Sequence, residues 1–283
     1  MSACSGTISA GTAVSSVTTA CPGVPIVLSL SSFTAASGIT YQWDTSSTGT
    51  GGWGAYVGAT TVPFIFTPPA GKTYYYRCNA TCTASGSTST STTVAVSVGG
   101  SGLPYLETFE STSTGTFPTC TGVTYSGYYD GFYVHSASTK PSWYPSSLAN
   151  HTTSGSNFLL GGYRLGMIDY TPDYFFTPGF YLQAGKTYQF SYWYVADGYG
   201  PYSIGAYMGN DQTKGAMTTA IGPTISTNTT SYAQYTTTFN VTTDGFYFIG
   251  LMNSQSTYWY GMAFDDIELE RASSLYGYPC LCG

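Results

Sequence analysis

Alternation with a period of two is the feature that most limits what this chain can become. YQFSYWY at Tyr188–Tyr194 alternates aromatics with smaller residues. VAVSV at Val94–Val98 puts three valines on one face, and KTYYYRC at Lys72–Cys78 groups Tyr74, Tyr76 and Cys78. Successive side chains of a strand point to opposite faces, so such runs bury one side when the backbone is extended. GFYFIGL at Gly245–Leu251 is nearly all apolar. No segment of about eleven residues or more carries a 3.6-residue apolar period, and turn residues punctuate the runs. The expected fold class is all-β.

Composition supports this and excludes several functions. Charged residues make up 7% of the 283, against roughly 25% in an ordinary soluble protein, while aromatics reach 17% with 28 Tyr. A disordered chain would lack those aromatics; a β-protein whose surface is hydroxyls and amides fits them. Seven Lys and Arg with a net charge of −6 cannot form a phosphate track, so nucleic acid is not an expected partner. No apolar run reaches the ~18 residues of a transmembrane helix.

Seven cysteines stand at 4, 21, 78, 82, 120, 280 and 282, none in C-x-x-C spacing, and only two histidines accompany them. Disulfides are therefore expected rather than zinc, and with them a secreted, extracellular or cell-surface location. MSACSGT has neither the basic start nor the apolar core of a signal peptide, so the chain reads as mature or trimmed.

GGSG at Gly99–Gly102 reads as a flexible linker. It separates a first domain over 1–98 from a second over 103–271, and a cysteine-bearing tail over 272–283 follows. In the first domain, Cys21, Trp43 and Cys78 succeed one another with Tyr76 two residues before the last. That order is the pattern of an immunoglobulin-like sandwich: a Trp packed on an inter-sheet Cys21–Cys78 bridge, and a tyrosine hydroxyl bonded back to backbone. Cys4 and Cys82 are then read as a second bridge. The pairing of Cys120, Cys280 and Cys282 stays open, with one thiol unpaired or joined to another chain. GTGGWG at Gly49–Gly54 matches a dinucleotide fingerprint only by letters: a β-type segment follows where a helix is needed, so it reads as a hairpin loop. AGKTY, at Ala70–Tyr74 and Ala184–Tyr188, lacks the first glycine of a phosphate loop and reads as the approach to a central strand.

Through CSGTISAGTAVSS, the Cys21-Pro-Gly turn, TYQWDTSSTG and TYYYRCNATC, the first domain resembles Ig-like repeats of large secreted surface proteins of Bacteroidota. The second domain opens LPYLETFES, passes through TPGFYLQAGKTY and closes FDDIELE; it is similar to the jelly-roll cleaved-adhesin domains of such proteins and, more distantly, to MAM domains. This resemblance implies a first strand lying beside the last, and a structural calcium held there by Glu110, Asp265 and Asp266. Independently, neighbours on a regular strand face opposite sides, so only one of Asp265 and Asp266 is expected to point inward.

No catalyst stands out. Glu107 and Glu110 are three apart and face opposite sides of an extended strand. His135 and His151 lie in Ser/Thr-rich surroundings without a G-x-S-x-G nucleophile and read as ordinary surface residues. The chain is expected not to be an enzyme. Trp143-Tyr144 in KPSWYPSS and Trp259-Tyr260 in TYWYG are the candidate platforms for a glycan. The shortage of charge leaves little to oppose association. The leading expectation is a self-assembling subunit of an extracellular filament or lattice, joined by strand addition through the termini. A carbohydrate-binding accessory module is the alternative.

Overall fold

The computed structural model describes residues 2–69, 72–99, 102–124, 126–127, 130–142, 144–152, 154–162, 172–255 and 261–272. The chain divides into two compact units, Met1–Ser101 and Gly102–Gly283. Both are built of β-strands.

The first unit contains β1 (Thr12–Ser15), β2 (Thr19–Ala20), β3 (Ile26–Ser31), β4 (Ile39–Ser46), β5 (Gly54–Ala55), β6 (Phe64–Phe66), β7 (Thr73–Cys82), β8 (Thr88–Thr90) and β9 (Val94–Val98). One sheet runs β1-β3-β6; the other runs β2-β9-β7-β4-β5, with β8 also paired to β7. Period-two patterning sets the inward faces. Ile26, Leu28 and Leu30 of β3 meet Trp43, Tyr76, Cys78 and Val96 in one buried cluster. The Trp43 indole N–H donates to the Thr61 carbonyl at 3.0 Å. GTGGWG is the connection of the β4–β5 hairpin, in which Thr45 pairs with Gly54.

Two expectations for this unit fail and one holds. Cys4 and Cys82 are joined, 78 residues apart in sequence. Cys78, however, is a free, buried thiol, and Cys21 takes its disulfide elsewhere. The reason is register. Cys21 occupies the turn before β3, where the Val24 N–H donates to the Cys21 carbonyl, while every inward position of β3 is aliphatic. Leu28 therefore stands in the core beside Trp43 and Cys78. Tyr76 also departs from the corner pattern: its hydroxyl is buried without a hydrogen-bond partner, and burial pushes its pKa up.

The second unit contains β10 (Tyr105–Glu107), β11 (Gly122–Val123), β12 (Ser126–Gly127), β13 (Asp130–Ser136), β14 (Asn157–Gly162), β15 (Asp173–Phe176), β16 (Phe180–Leu182), β17 (Thr187–Ala196), β18 (Tyr202–Gly209), β19 (Thr219–Ala220), β20 (Ile225–Thr227), β21 (Ala233–Asn240), β22 (Gly245–Gln255) and β23 (Gly261–Arg271). One sheet runs β12-β13-β14-β23-β17-β21, with β10 also on β23. The other runs β11-β15-β22-β18-β19, with β16 on β22 and β20 on β18. The first strand does lie beside the last, Tyr105 opposite Leu269. Tyr188, Phe190, Tyr192 and Tyr194 of β17 point into the main core with Phe132, Phe175, Ile249 and Phe264. Gly185 adopts φ +72° and turns the chain into β17 at Thr187, so the second AGKTY does lead into a central strand.

Strands of this unit also bury their other faces. Phe158, Leu160, Val195 and Ala263 pack with Tyr144 and Leu148 in one cluster, and Tyr174, Phe176, Phe248 and Met252 with Met217 in another. Burial on both sides explains why GFYFIGL lost its alternation.

Candidate ligand and metal site

The C-terminal strand positions the site. β14 pairs with Gly261–Phe264 of β23, and β10 pairs with Ile267–Leu269. Asp265 and Asp266 fall between the two. On the opposite edge the register with β17 shifts between Ser191 and Trp193, placing one extra residue on β23, and Asp266 takes φ +47°. This bulge overturns the expectation of opposite-facing neighbours, because an extra residue re-aims side chains that regular pleating would separate. Asp265 is fully buried. Its Oδ2 accepts the His151 N–H at 2.7 Å and its Oδ1 accepts the Asp266 N–H at 2.9 Å. Asp266 Oδ2 sits 2.7 Å from His151 Nδ1. Both carboxylates thus engage one residue.

Glu110 closes the third side. Its carboxylate accepts the Ser156 and Asn157 N–H groups at 2.9–3.0 Å. A Cβ on Gly155 would stand 2.3 Å from Glu110 Oε1, so any larger residue there would make the carboxylate shift from this position. Asn150 Nδ2 donates to the Gly155 carbonyl at 2.9 Å, shaping the loop, and Thr152 Oγ1 is buried without a hydrogen-bond partner. Burial, with the negative Asp266 and Glu110 nearby, pushes the Asp265 carboxyl up to about 7 against the pull of its two N–H donors.

Neither histidine is an ordinary surface residue. His151 stacks on the half-buried Trp193 with centroids 4.0 Å apart and meets the edge of Tyr232 at 4.9 Å. Among the described residues the side-chain hydrogen bond of the His151 ring runs to Asp266. His151 acts as the anchor of the 149–157 loop. His135 is buried on β13, its Nδ1 has no partner, and burial lowers its pKa.

The predicted glycan platforms fare differently. Tyr144 is only 6% exposed within its apolar cluster, so its ring offers no stacking face. Trp143, Trp259 and Tyr260, like Cys280 and Cys282, lie outside the described residues. Trp193 was not singled out from sequence, although its place between the inward Tyr192 and Tyr194 puts it on the outer face.

Among the described residues no three His, Cys, Asp or Glu side chains cluster as a metal site. The donor set still fits a hard cation in part. Asp265 and Glu110 supply carboxylate oxygens, Thr152 an unpartnered hydroxyl, and Gly155 the space, leaving other ligands to backbone carbonyls.

No protein-family profile and no curated protein matches the chain. Among solved structures it is similar to a cleaved adhesin domain of Lys-gingipain from Porphyromonas gingivalis, with 16% identity over 61% of this chain and all of that one, at a TM-score of 0.43. It is also similar to a xylan-binding domain from Paenibacillus barcinonensis, with 8% identity over 59% of this chain and 92% of that one, at a TM-score of 0.36. Likenesses of this size carry no functional inference.

Proposed function

We propose that the chain is a secreted, non-catalytic adhesive protein that assembles with copies of itself into an extracellular filament or lattice, its first unit an Ig-like spacer and its second a jelly roll. The observation that carries this reading is β21. It is eight residues long, ends its sheet, and among the described residues pairs on one side only, with β17. Its sequence AQYTTTFN holds no charge and no proline, and Gln234, Thr236, Thr238 and Asn240 are exposed. Sheet edges are normally blunted by Lys, Pro or a bulge; a long neutral edge is a template for another strand.

The N-terminal segment is a poor donor for that edge, because β1 pairs with β3 and β2 with β9 within its own unit. Light scattering on the full chain tests the reading. Wild type should grow beyond a dimer with concentration, and a Thr236→Lys/Thr238→Lys variant should not. A wild-type chain that stays monomeric at every concentration overturns it.

The same reading takes a structural calcium at Asp265 and Glu110, which would neutralise the buried Asp265 carboxylate together with the exposed Glu110 and fix the 149–157 loop to β23; Asp266 secures that loop through His151. A second reading, a carbohydrate-binding module, is favoured by a hydroxyl-lined cleft beside β10.

A further inference from the structure

That cleft has a volume of about 470 Å³, within the range of small-ligand sites. It is bounded by β10, the segment 111–119 and Pro178. On β10, Tyr105 and Glu107 are two apart and share the face that lines the cleft, opposite the exposed Leu106. The Tyr105 hydroxyl is buried and has no hydrogen-bond partner. Glu107 accepts one bond, from the Phe109 N–H at 2.6 Å, which leaves its carboxyl with acceptor capacity. Burial raises the pKa of both groups. Ser and Thr hydroxyls, Thr116 among them, form the rim, and Phe117, Pro118 and Pro178 supply apolar surface.

This lining discriminates among ligand classes. Among the described residues no Lys, Arg or His lines the cleft, and Glu107 repels anions. A divalent cation would meet a single carboxyl group, short of the set that calcium takes. A wholly apolar ligand would leave the Tyr105 hydroxyl and Glu107 desolvated and unpaired. A neutral polyhydroxylated ring satisfies both: its hydroxyls donate to Glu107 and accept from Tyr105, and its C–H face packs on Phe117 and the prolines.

We propose that this cleft binds a neutral saccharide unit, oriented by Glu107 and Tyr105, an inference that rests on the carbohydrate-binding reading above. The test is saturation-transfer NMR on the full chain with methyl glycosides of glucose, galactose, mannose and xylose, with methyl glucuronoside as the charged control. Pull-downs on neutral polysaccharides run in parallel. At least one neutral glycoside should receive saturation. Glu107→Gln, which keeps an acceptor for the Phe109 N–H, should weaken that binding about ten-fold or more. Tyr105→Phe should weaken it too while leaving the unfolding midpoint unchanged or higher, since it removes an unpartnered hydroxyl; a merely structural role would not separate the two readouts. Polysaccharide binding that both variants leave intact overturns the cleft but keeps the carbohydrate reading. Tighter binding of the glucuronoside than of every neutral glycoside overturns the assigned chemistry. No binding of any glycoside or polysaccharide overturns both.

Discussion

The two units are built from the same alternating strands, yet they distribute polar groups in opposite ways. Asp44 is the only acidic residue of the first unit; every other Asp and Glu belongs to the second. Asp44 is neutralised on the spot, by Arg77 at 3.1 Å and Asn79 at 2.8 Å, and Arg77 lies over Trp53. The first unit thus has a buried core, and its one carboxylate already has its partners. In the second, Asp197 is buried and accepts the Tyr202 hydroxyl at 2.6 Å, Glu107 faces a cleft, and Asp265 is buried beside two other carboxylates. Burying charge is costly unless it is paired or coordinated. On the proposed reading, the contrast fits a spacer role for the first unit and ligand chemistry for the second.

The comparison is sharpened most by removing the centre of the first core. Trp43→Ala should destabilise that unit by about 3–5 kcal/mol, through lost burial and the cavity left behind. Followed by tryptophan fluorescence and near-UV circular dichroism in denaturant, the second unit should keep its own transition. A single transition shifted as a whole would show that the units do not unfold independently.

The Asp265 carboxyl gives the next effect, and its sign follows from linkage. Below about pH 4 the carboxyl is protonated in folded and unfolded chains alike. Between about pH 4 and 7 the unfolded chain loses the proton while the folded chain holds it, so stability falls as pH rises. In chelator the loss should approach about 4 kcal/mol by pH 8, and calcium should restore most of it. Asp265→Asn should flatten the chelated profile. A profile already flat in wild type would remove the buried carboxylate from the account.

The smallest effect is chemical. The Cys78 thiol is fully buried, and burial pushes its pKa up to about 12. It should resist alkylation in the folded chain and react in denaturant, as read by mass spectrometry of the tryptic peptides. Rapid labelling under native conditions would mean that the first core opens far more readily than its packing implies.

Much of the fold was legible in sequence because it is written locally. KTYYYRC, YQFSYWY and VAVSV each declare a strand and its inward face, whereas the pairing of first and last strands followed only from the resemblance of LPYLETFES and FDDIELE to adhesin domains. What misled was spacing read without register. Cys21, Trp43 and Cys78 stand in an immunoglobulin-like order, but Cys21 falls in the turn before β3 and Leu28 takes the inward place. The candidate site was half legible. Glu110, Asp265 and Asp266 were named, but a bulge and a positive φ at Asp266 cannot be read from Phe-Asp-Asp-Ile. His151 reaches Asp265 across 114 residues of chain, a distance at which no local pattern speaks. Tyr144, flanked by prolines, looked like an exposed platform and is instead the lid of an apolar cluster.

The central claim, self-assembly along a neutral edge, is tested most directly by electron microscopy of the full chain. The account predicts filaments or sheets with a regular subunit repeat, absent when Thr236 and Thr238 are replaced by lysine. Monodisperse single particles from the wild-type chain, at every concentration examined, would contradict it.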